Sequence, residues 1–279
     1  MKNIFYLFKV HHFIKNFIIF VPILASHKIQ DVNYIHLLLH LINISFLSAI
    51  IYFINNVNDY KADLKNKKLH YKLNLKNINL YYFVSISFFL IQILTLIYIN
   101  QNIWKVCLLY FCLAVSYNFF FKKIIYIDIL IITIFHLLRL FYGSTAFQIE
   151  LSTILTIFCA FLFLMIATNK RYNEIEKNFI NRPYTINHCN FLKFLQIFLA
   201  LGSVFILSYY IFNSDNIYLY KNFYLLIIKI FLFSSMIINF LIYQFKYKED
   251  AVLFFYKSKI NTFLFIIFVI LYFINSNFF

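Results

Sequence analysis

Glycine and proline are nearly absent from this chain, with two of each in 279 residues. Loops and turns therefore lack their usual markers, and boundaries must be read from hydrophobicity and charge. The shortage accompanies an excess of Phe, Ile, Asn and Lys along the whole chain, which reads as a coding bias. Charge is scarce too: 13% of residues are Asp, Glu, Lys or Arg, against roughly 25% in soluble domains. Acids are scarcest, ten against 25 basic residues. The four cysteines (Cys107, Cys112, Cys159, Cys189) have no paired metal-site spacing. The first three lie in apolar runs, so all four read as free thiols.

What fills the chain is apolar. It is 63% hydrophobic and 23% aromatic, with 39 phenylalanines and 23 tyrosines. So many rings exceed what a soluble core of this length can bury, which excludes a cytosolic globule. Disorder is excluded as well, because it requires low hydrophobicity. The composition defines an integral membrane protein. A helical span takes about 20 apolar residues, and nine candidates occur at roughly 13–27, 34–56, 78–100, 103–121, 124–147, 151–169, 191–213, 222–245 and 260–278. The fold expected is all-α, a nine-span bundle forming one domain over 1–279 with no soluble domain appended. A cleaved signal peptide is not expected, since Lys2, Lys9 and Lys15 are spread along the first run and no small-residue cleavage site follows.

A net charge of +15 would suggest nucleic acid in a soluble protein. Here the basic residues cluster between apolar runs and follow the positive-inside rule. With the N-terminus inside, twenty of the 25 basic residues fall on one side and three (Lys28, Lys105, Lys221) on the other. Arg139 and Lys229 fall within spans, and Lys229 is expected to snorkel. This places the N-terminus in the cytoplasm and the C-terminus outside. The membrane is expected to be the cell inner membrane, with membrane lipids and no nucleic acid as partners. The long inter-span loops 57–77, 170–190 and 246–259 all lie on the cytoplasmic side.

Four polar groups stand out. At the end of the second span, Asn55, Asp59 and Asp63 recur every four residues and Asn56 precedes Asp59 by three, so a continued helix puts them on one stripe. Such a stripe offers hard oxygen ligands of the kind that hold Mg²⁺ against a diphosphate. It reads equally as a solvated loop entrance with Asp–Lys pairs. Tyr117, Asn118, Lys122 and Lys123 precede Asp128 and Arg139, and the last two share a helix face about 16 Å apart. Intramembrane charges line cavities or pair structurally; His136, about one turn before Arg139, reads as a packing residue. Lys170, Arg171 and Glu174 end the sixth span, where a basic pair is also ordinary for a membrane boundary. Lys15-Asn16 is a polar pair within the first apolar run, where Lys15 can snorkel.

Together these four places resemble the UbiA superfamily of membrane prenyltransferases, and most closely its decaprenyl-phosphate phosphoribosyltransferase branch. Lys15, Asn16 and Pro22 match the branch's opening Lys-Asn and later proline, with Lys9, His12 and Phe13 in its Arg, Gln and Trp places. Asn55, Asp59 and Asp63 match its first acidic motif, with Asn56 standing where the first aspartate belongs. Downstream, Leu64, Asn66 and Lys67 depart from the pattern, while Lys68 and Lys72 keep the charge. Tyr117, Lys122, Asp128, Arg139 and Gly143 follow the second motif in order and spacing, with Asn118 for its serine. Lys170, Arg171 and Glu174 match the third. The resemblance covers about residues 5–185, and beyond that only the topology corresponds.

The resemblance implies a nine-helix bundle with a cytoplasmic polar cavity and a lateral opening to lipid. It implies Mg²⁺-assisted transfer of 5-phosphoribose from phosphoribosyl diphosphate to a polyprenyl phosphate, with a polyprenyl lipid and a phosphorylated sugar donor as partners. Asp59, Asp63 and Asp128 then take catalytic roles, and Asn56, Asp59 and Asp63 the metal. Lys15, Asn16, Asn55, Tyr117, Lys122, Arg139, Lys170 and Arg171 then meet substrate. Two other functions remain open: transfer of a prenyl chain to an aromatic or other small acceptor, and a non-catalytic protein of the same fold. Ile132, four residues after Asp128, stands where prenyl-transferring members usually carry a second aspartate.

Overall fold

The structure, a computed structural model, describes residues 7–26, 28, 32–65, 78–99, 102–177, 183–213, 223–247 and 258–275. In lipid, backbone N–H and C=O groups have no water to bond, so apolar runs must close their hydrogen bonds within a helix. The described residues accordingly contain helices and no strands: α1 (Val10–Ala25), α2 (Tyr34–Lys65), α3 (Ile78–Ile99), α4 (Ile103–Phe119), α5 (Ile127–Phe147), α6 (Thr153–Glu176), α7 (Cys189–Asn213), α8 (Phe223–Tyr247) and α9 (Lys259–Asn275). This is a multi-pass, all-α membrane protein. Among the described residues, six helices are long and apolar enough to cross a membrane; α1, α4 and α9 are apolar but shorter. The first eleven residues of α1 wind as a 3₁₀ helix, and Pro22 opens its short α-helical end. Proline is tolerated there because its missing N–H belongs to the first turn.

The chain falls into two compact units, residues 1–151 with 179–183, and residues 152–178 with 184–279. In the first unit α1 packs on α2 and α5, α2 on α3 and α4, and α4 on α5. Burial separates the central helices from the lipid-facing one. About half of the most apolar stretch of α2 and of α5 is buried (50% and 56%), against 11% for α3. Phe83, Leu94, Ile97 and Tyr98 of α3 therefore present apolar surface outward, as a lipid-facing helix does. Ile19, Ile44, Leu47, Ile103, Tyr110, Leu138 and Tyr142 form the core between α1, α2, α4 and α5.

One amide fastens that core. Asn43 donates from Nδ2 to the Gln92 carbonyl at 3.0 Å and to Thr95 Oγ1 at 2.6 Å. Its Oδ1 accepts from the Tyr142 hydroxyl at 3.3 Å and the Cys107 thiol at 3.6 Å. Four helices thus meet at one residue, in a medium where an unbonded amide is costly. Gly143 has a steric role. A Cβ built there would lie 1.9 Å from the Ile19 carbonyl oxygen, so glycine is what allows α1 to lie directly on α5.

In the second unit α6 packs on α7, and α8 on α7 and α9. Met165, Leu199, Ala200, Ile237 and Phe240 form its core. Lys229, expected to snorkel, is instead buried on α8. Gly202 admits the Phe161 ring, 2.6 Å from a hypothetical Cβ. A ring edge can swing aside where a backbone carbonyl cannot. Gly143→Ala is therefore expected to lower the thermal midpoint of the purified protein more than Gly202→Ala, with overpacking of about 1–3 kcal/mol at the first position. Equal or reversed losses would contradict the close α1–α5 contact.

Candidate functional site

The first unit carries a polar stripe along α2. Ser45, Ser48, Tyr52, Asn56 and Asp59 follow one another at intervals of three or four residues, which keeps them on one face. α1 runs antiparallel along it. Asn16 meets Ser45 and Ser48, Lys9 and His12 meet Tyr52, and the Leu7 carbonyl meets Asn56. The sequence hides this stripe among Leu, Ile and Phe, because its serines and tyrosine look ordinary one at a time.

At one end of the stripe Asp59 accepts a charge-assisted hydrogen bond from Lys122 Nζ at 2.6 Å. Both residues are buried, at 7% and 6% exposed. Lys122 reaches Asp59 from a 3₁₀ turn, Phe121–Lys123, that links α4 to α5. Tyr126 then takes a positive φ of 65°, and Asp128 falls in the first turn of α5, fully buried. A carboxylate there faces the positive end of the helix dipole. Tyr117 of α4 is half-buried, its ring edge-on to Phe135 at 5.7 Å.

Asn55 is half-buried and Asn56 buried. Asn56 Nδ2 donates to the Leu7 carbonyl at 2.5 Å. That bond explains the amide where the resembling motif has an acid: an ionised carboxylate would face the carbonyl oxygen with no proton to give. It also turns Oδ1 away from Leu7. Asp63 lies in the last turns of α2, with its side chain outside the described residues, as are Lys68, Lys72 and Arg182. Among the described residues no three His, Cys, Asp or Glu side chains cluster as a metal site. Among the described residues, the donors at this end are the Asp59 carboxylate and neutral amide oxygens. That set suits a hard cation such as Mg²⁺, which completes its shell with water and substrate phosphate.

Deeper along the stripe lies the second polar cluster. Asn16, fully buried, donates to Ser45 Oγ at 3.0 Å. Its Oδ1 accepts from Ser48 Oγ at 3.3 Å and from Arg139 Nε at 2.9 Å. Arg139, 3% exposed, also directs Nη1 to the Phe135 carbonyl and to His136 Nδ1, both at 3.3 Å. Its guanidinium lies 5.3 Å from the centre of the Tyr110 ring. Lys15, half-buried, is in electrostatic reach of the same tyrosine. Ser48 stands eleven residues before Asp59, so the two clusters are separated along α2 by about 16 Å. His136, read from sequence as a hydrogen-bonded packing residue, meets Arg139 directly. Asn16, expected at the substrate, is bonded to Arg139 and two serines.

The third sequence cluster belongs to the second unit. Lys170 is exposed near the end of α6, while Arg171 is fully buried and ion-paired to Glu174 three residues on. Asn169 accepts from Gln196 Nε2 at 3.0 Å, and Asn173 Nδ2 donates to Gln244 Oε1 at 3.0 Å. Gln196 and Gln244 went unread in the sequence, although a lone glutamine within an apolar run was the signal available.

With this geometry in hand, the likeness to solved proteins is informative. The fold is that of UbiA homologues. A UbiA homologue from Archaeoglobus fulgidus bound to DMAPP and Mg²⁺ superposes with a TM-score of 0.68 at 14% identity, over 98% of this chain and 96% of that one. The same homologue bound to GPP and Mg²⁺ gives 0.67 at 15%, with the same coverage. A structure of digeranylgeranylglyceryl phosphate synthase gives 0.61 at 17%, over 99% and 98%. Among curated proteins, the nodulation protein NoeC of Azorhizobium caulinodans is 24% identical over 170 residues. That match spans 60% of this chain and just over half of NoeC (55%). No protein-family profile matches the sequence.

The Asn56–Leu7 bond gives a direct test. Asn56→Asp is expected to destabilise the protein by about 1–3 kcal/mol, the scale for a buried polar group left without its partner. The loss should grow as pH rises, because only the protonated acid can donate to the carbonyl. Thermal midpoints of the variant and parent across pH 5–8 check this; a variant as stable as the parent at the upper end would contradict the assigned bond.

Proposed function

We propose that the protein transfers 5-phosphoribose from phosphoribosyl diphosphate to a polyprenyl phosphate with Mg²⁺ assistance. The reading takes residues 1–279 as one nine-span domain in the cell inner membrane, with the N-terminus and the site on the cytoplasmic side. One observation carries it above the alternatives: the first unit holds two buried cations at different depths, Lys122 beside Asp59 and Arg139 among neutral groups. Prenyl transfer to a neutral acceptor brings one diphosphate. Phosphoribosyl transfer to a lipid phosphate brings anions on both donor and acceptor. The motif resemblance supports the same choice.

In this mechanism Asp59 and Asp63, with the amide oxygens of Asn55 and Asn56, would hold Mg²⁺, which when bound would supply charge neutralisation of the diphosphate. Lys122, beside Asp59, would direct its ammonium to the diphosphate. In the second unit, Arg171 fixes the end of α6 through Glu174. Asp128, fully buried in the first turn of α5, would orient a lysine or complete a second metal position. Arg139, with Lys15 nearby, positions the lipid phosphate. A lipid phosphate oxygen attacks the anomeric carbon as the carbon–oxygen bond to diphosphate breaks. The attacking oxygen is already anionic, so the step requires no general base. Tyr117 packs the wall beside Phe135, and the exposed Phe- and Ile-rich faces accommodate the isoprenoid tail.

Prenyl transfer is the second reading, favoured by solved structures of the same fold bound to DMAPP and GPP with Mg²⁺. Purified protein in lipid, labelled phosphoribosyl diphosphate and a polyprenyl phosphate separate the two. Metal-dependent label in the lipid fraction, reduced at least about a hundredfold by Asp59→Ala, is expected. Label that appears in lipid only when a prenyl diphosphate is the donor would overturn the reading.

A further inference from the structure

Arg139 is an unusual buried cation, because among the described residues every group that meets it is uncharged. Its partners are the Asn16 amide oxygen, the Phe135 carbonyl, His136 Nδ1 and the Tyr110 ring face. A guanidinium only donates, so His136 Nδ1 is the acceptor and the ring proton on that pair sits at Nε2. A protonated imidazole could not take that place. Lys15 adds a second positive charge near the same tyrosine rather than a balancing negative one. A charge buried in an apolar bundle without a counter-ion is unfavourable. An aspartate at position 16 would satisfy the same guanidinium and the same serine hydroxyls. The chain carries the neutral isostere.

We infer that Asn16 is a positioning residue that orients Arg139 without neutralising it, so that the guanidinium's charge remains for the phosphate ester of a lipid. The inference rests on the reading above, in which Arg139 meets the lipid acceptor's phosphate. Three features of the fold make the arrangement rigid. Gly143 brings α1 onto α5, with a hypothetical Cβ 1.9 Å from the Ile19 carbonyl. Ser45 and Ser48 fix the amide from α2. The Nε contact to Asn16 and the Nη1 contacts to Phe135 and His136 set the plane of the guanidinium. None of these contacts uses Nη2, whose two N–H groups are left to donate to a phosphate. The ligand class is an isoprenoid monophosphate, with the diphosphate or free phosphate as the alternatives sharing its chemistry.

The test measures equilibrium binding to the full chain in nanodiscs, without Mg²⁺, using farnesyl phosphate, farnesyl diphosphate, inorganic phosphate and farnesol. Farnesyl phosphate is expected to bind more tightly than farnesol. Asn16→Asp keeps the hydrogen bonds to Arg139 and Ser48 but adds the missing negative charge. It is expected to weaken farnesyl phosphate at least about tenfold, the scale of a buried charge's effect on binding, while leaving farnesol affinity and the thermal midpoint unchanged. Asn16→Ala, which retains Arg139's charge but releases its orientation, should weaken farnesyl phosphate less than Asn16→Asp and erase its preference over farnesyl diphosphate.

Unchanged farnesyl phosphate affinity in a folded Asn16→Asp protein would overturn the inference, as would wild-type protein binding farnesol equally well. If Asn16→Asp does not fold, Asn16→Ala decides: retained affinity and retained monophosphate preference overturn it. Equal response of inorganic phosphate and farnesyl phosphate to Asn16→Asp would show a site for free phosphate and would also overturn it. The outcome separates from the proposed reaction. Charge-dependent farnesyl phosphate binding without ribose transfer sustains the anion site and removes the donor assignment. Ribose transfer with Asn16→Asp binding like the parent removes this inference alone.

Discussion

The Asn16 amide is the joint on which the first unit's polar interior depends. From α1 it reaches Ser45 and Ser48 of α2 and Arg139 of α5, so three helices are fixed by one buried side chain. The joint can form only because Gly143 leaves room for the Ile19 carbonyl. In a low-dielectric bundle each of these bonds is worth more satisfied than it is in water, and an unmatched partner is correspondingly harmful. Position, hydrogen bonding and chain path are therefore mutually dependent here. A shift of α1 along α5 would strand the guanidinium.

The same dependence organises the rest of the stripe. α1 runs antiparallel to α2, so fixing Asn16 at Ser48 also sets Lys9 and His12 beside Tyr52 and Leu7 beside Asn56. Asp59 follows within one turn and meets Lys122. One buried face thus carries two electrostatically different regions. At one end a carboxylate is balanced by a lysine, an arrangement that a divalent cation can exchange into. At the other, a cation stands among neutral groups. Substrates that bring phosphate at two places fit that asymmetry better than one diphosphate and a neutral acceptor do.

Much of this was legible in the sequence, for reasons that can be traced. Apolar runs identify membrane helices because lipid forces the backbone to bond internally, and all nine runs are helical among the described residues. Length was less legible: α4 stops two residues before its apolar run 103–121 does, since a run does not mark where its helix ends. Asp59, Lys122 and Arg139 were found because a charge in an apolar run is conspicuous. Their partners were not. His136, Tyr110, Ser45 and Ser48 are ordinary residues individually, and only the folding of α1 and α5 onto α2 brings them together. Asn56 stands where the resembling motif has an acid, and the Leu7 carbonyl supplies a structural reason for the amide. Gly143 matched a motif position by spacing, and its reason became visible only as the contact with Ile19.

The central claim is that the donor held at the Asp59 end is a sugar diphosphate. The most direct measurement is equilibrium competition on the full protein in nanodiscs, with Mg²⁺ present, between phosphoribosyl diphosphate and farnesyl diphosphate. Saturable, Mg²⁺-dependent binding of phosphoribosyl diphosphate that survives an equimolar prenyl diphosphate is the result the account predicts. Mg²⁺-dependent binding of farnesyl diphosphate, with none of phosphoribosyl diphosphate, would contradict it.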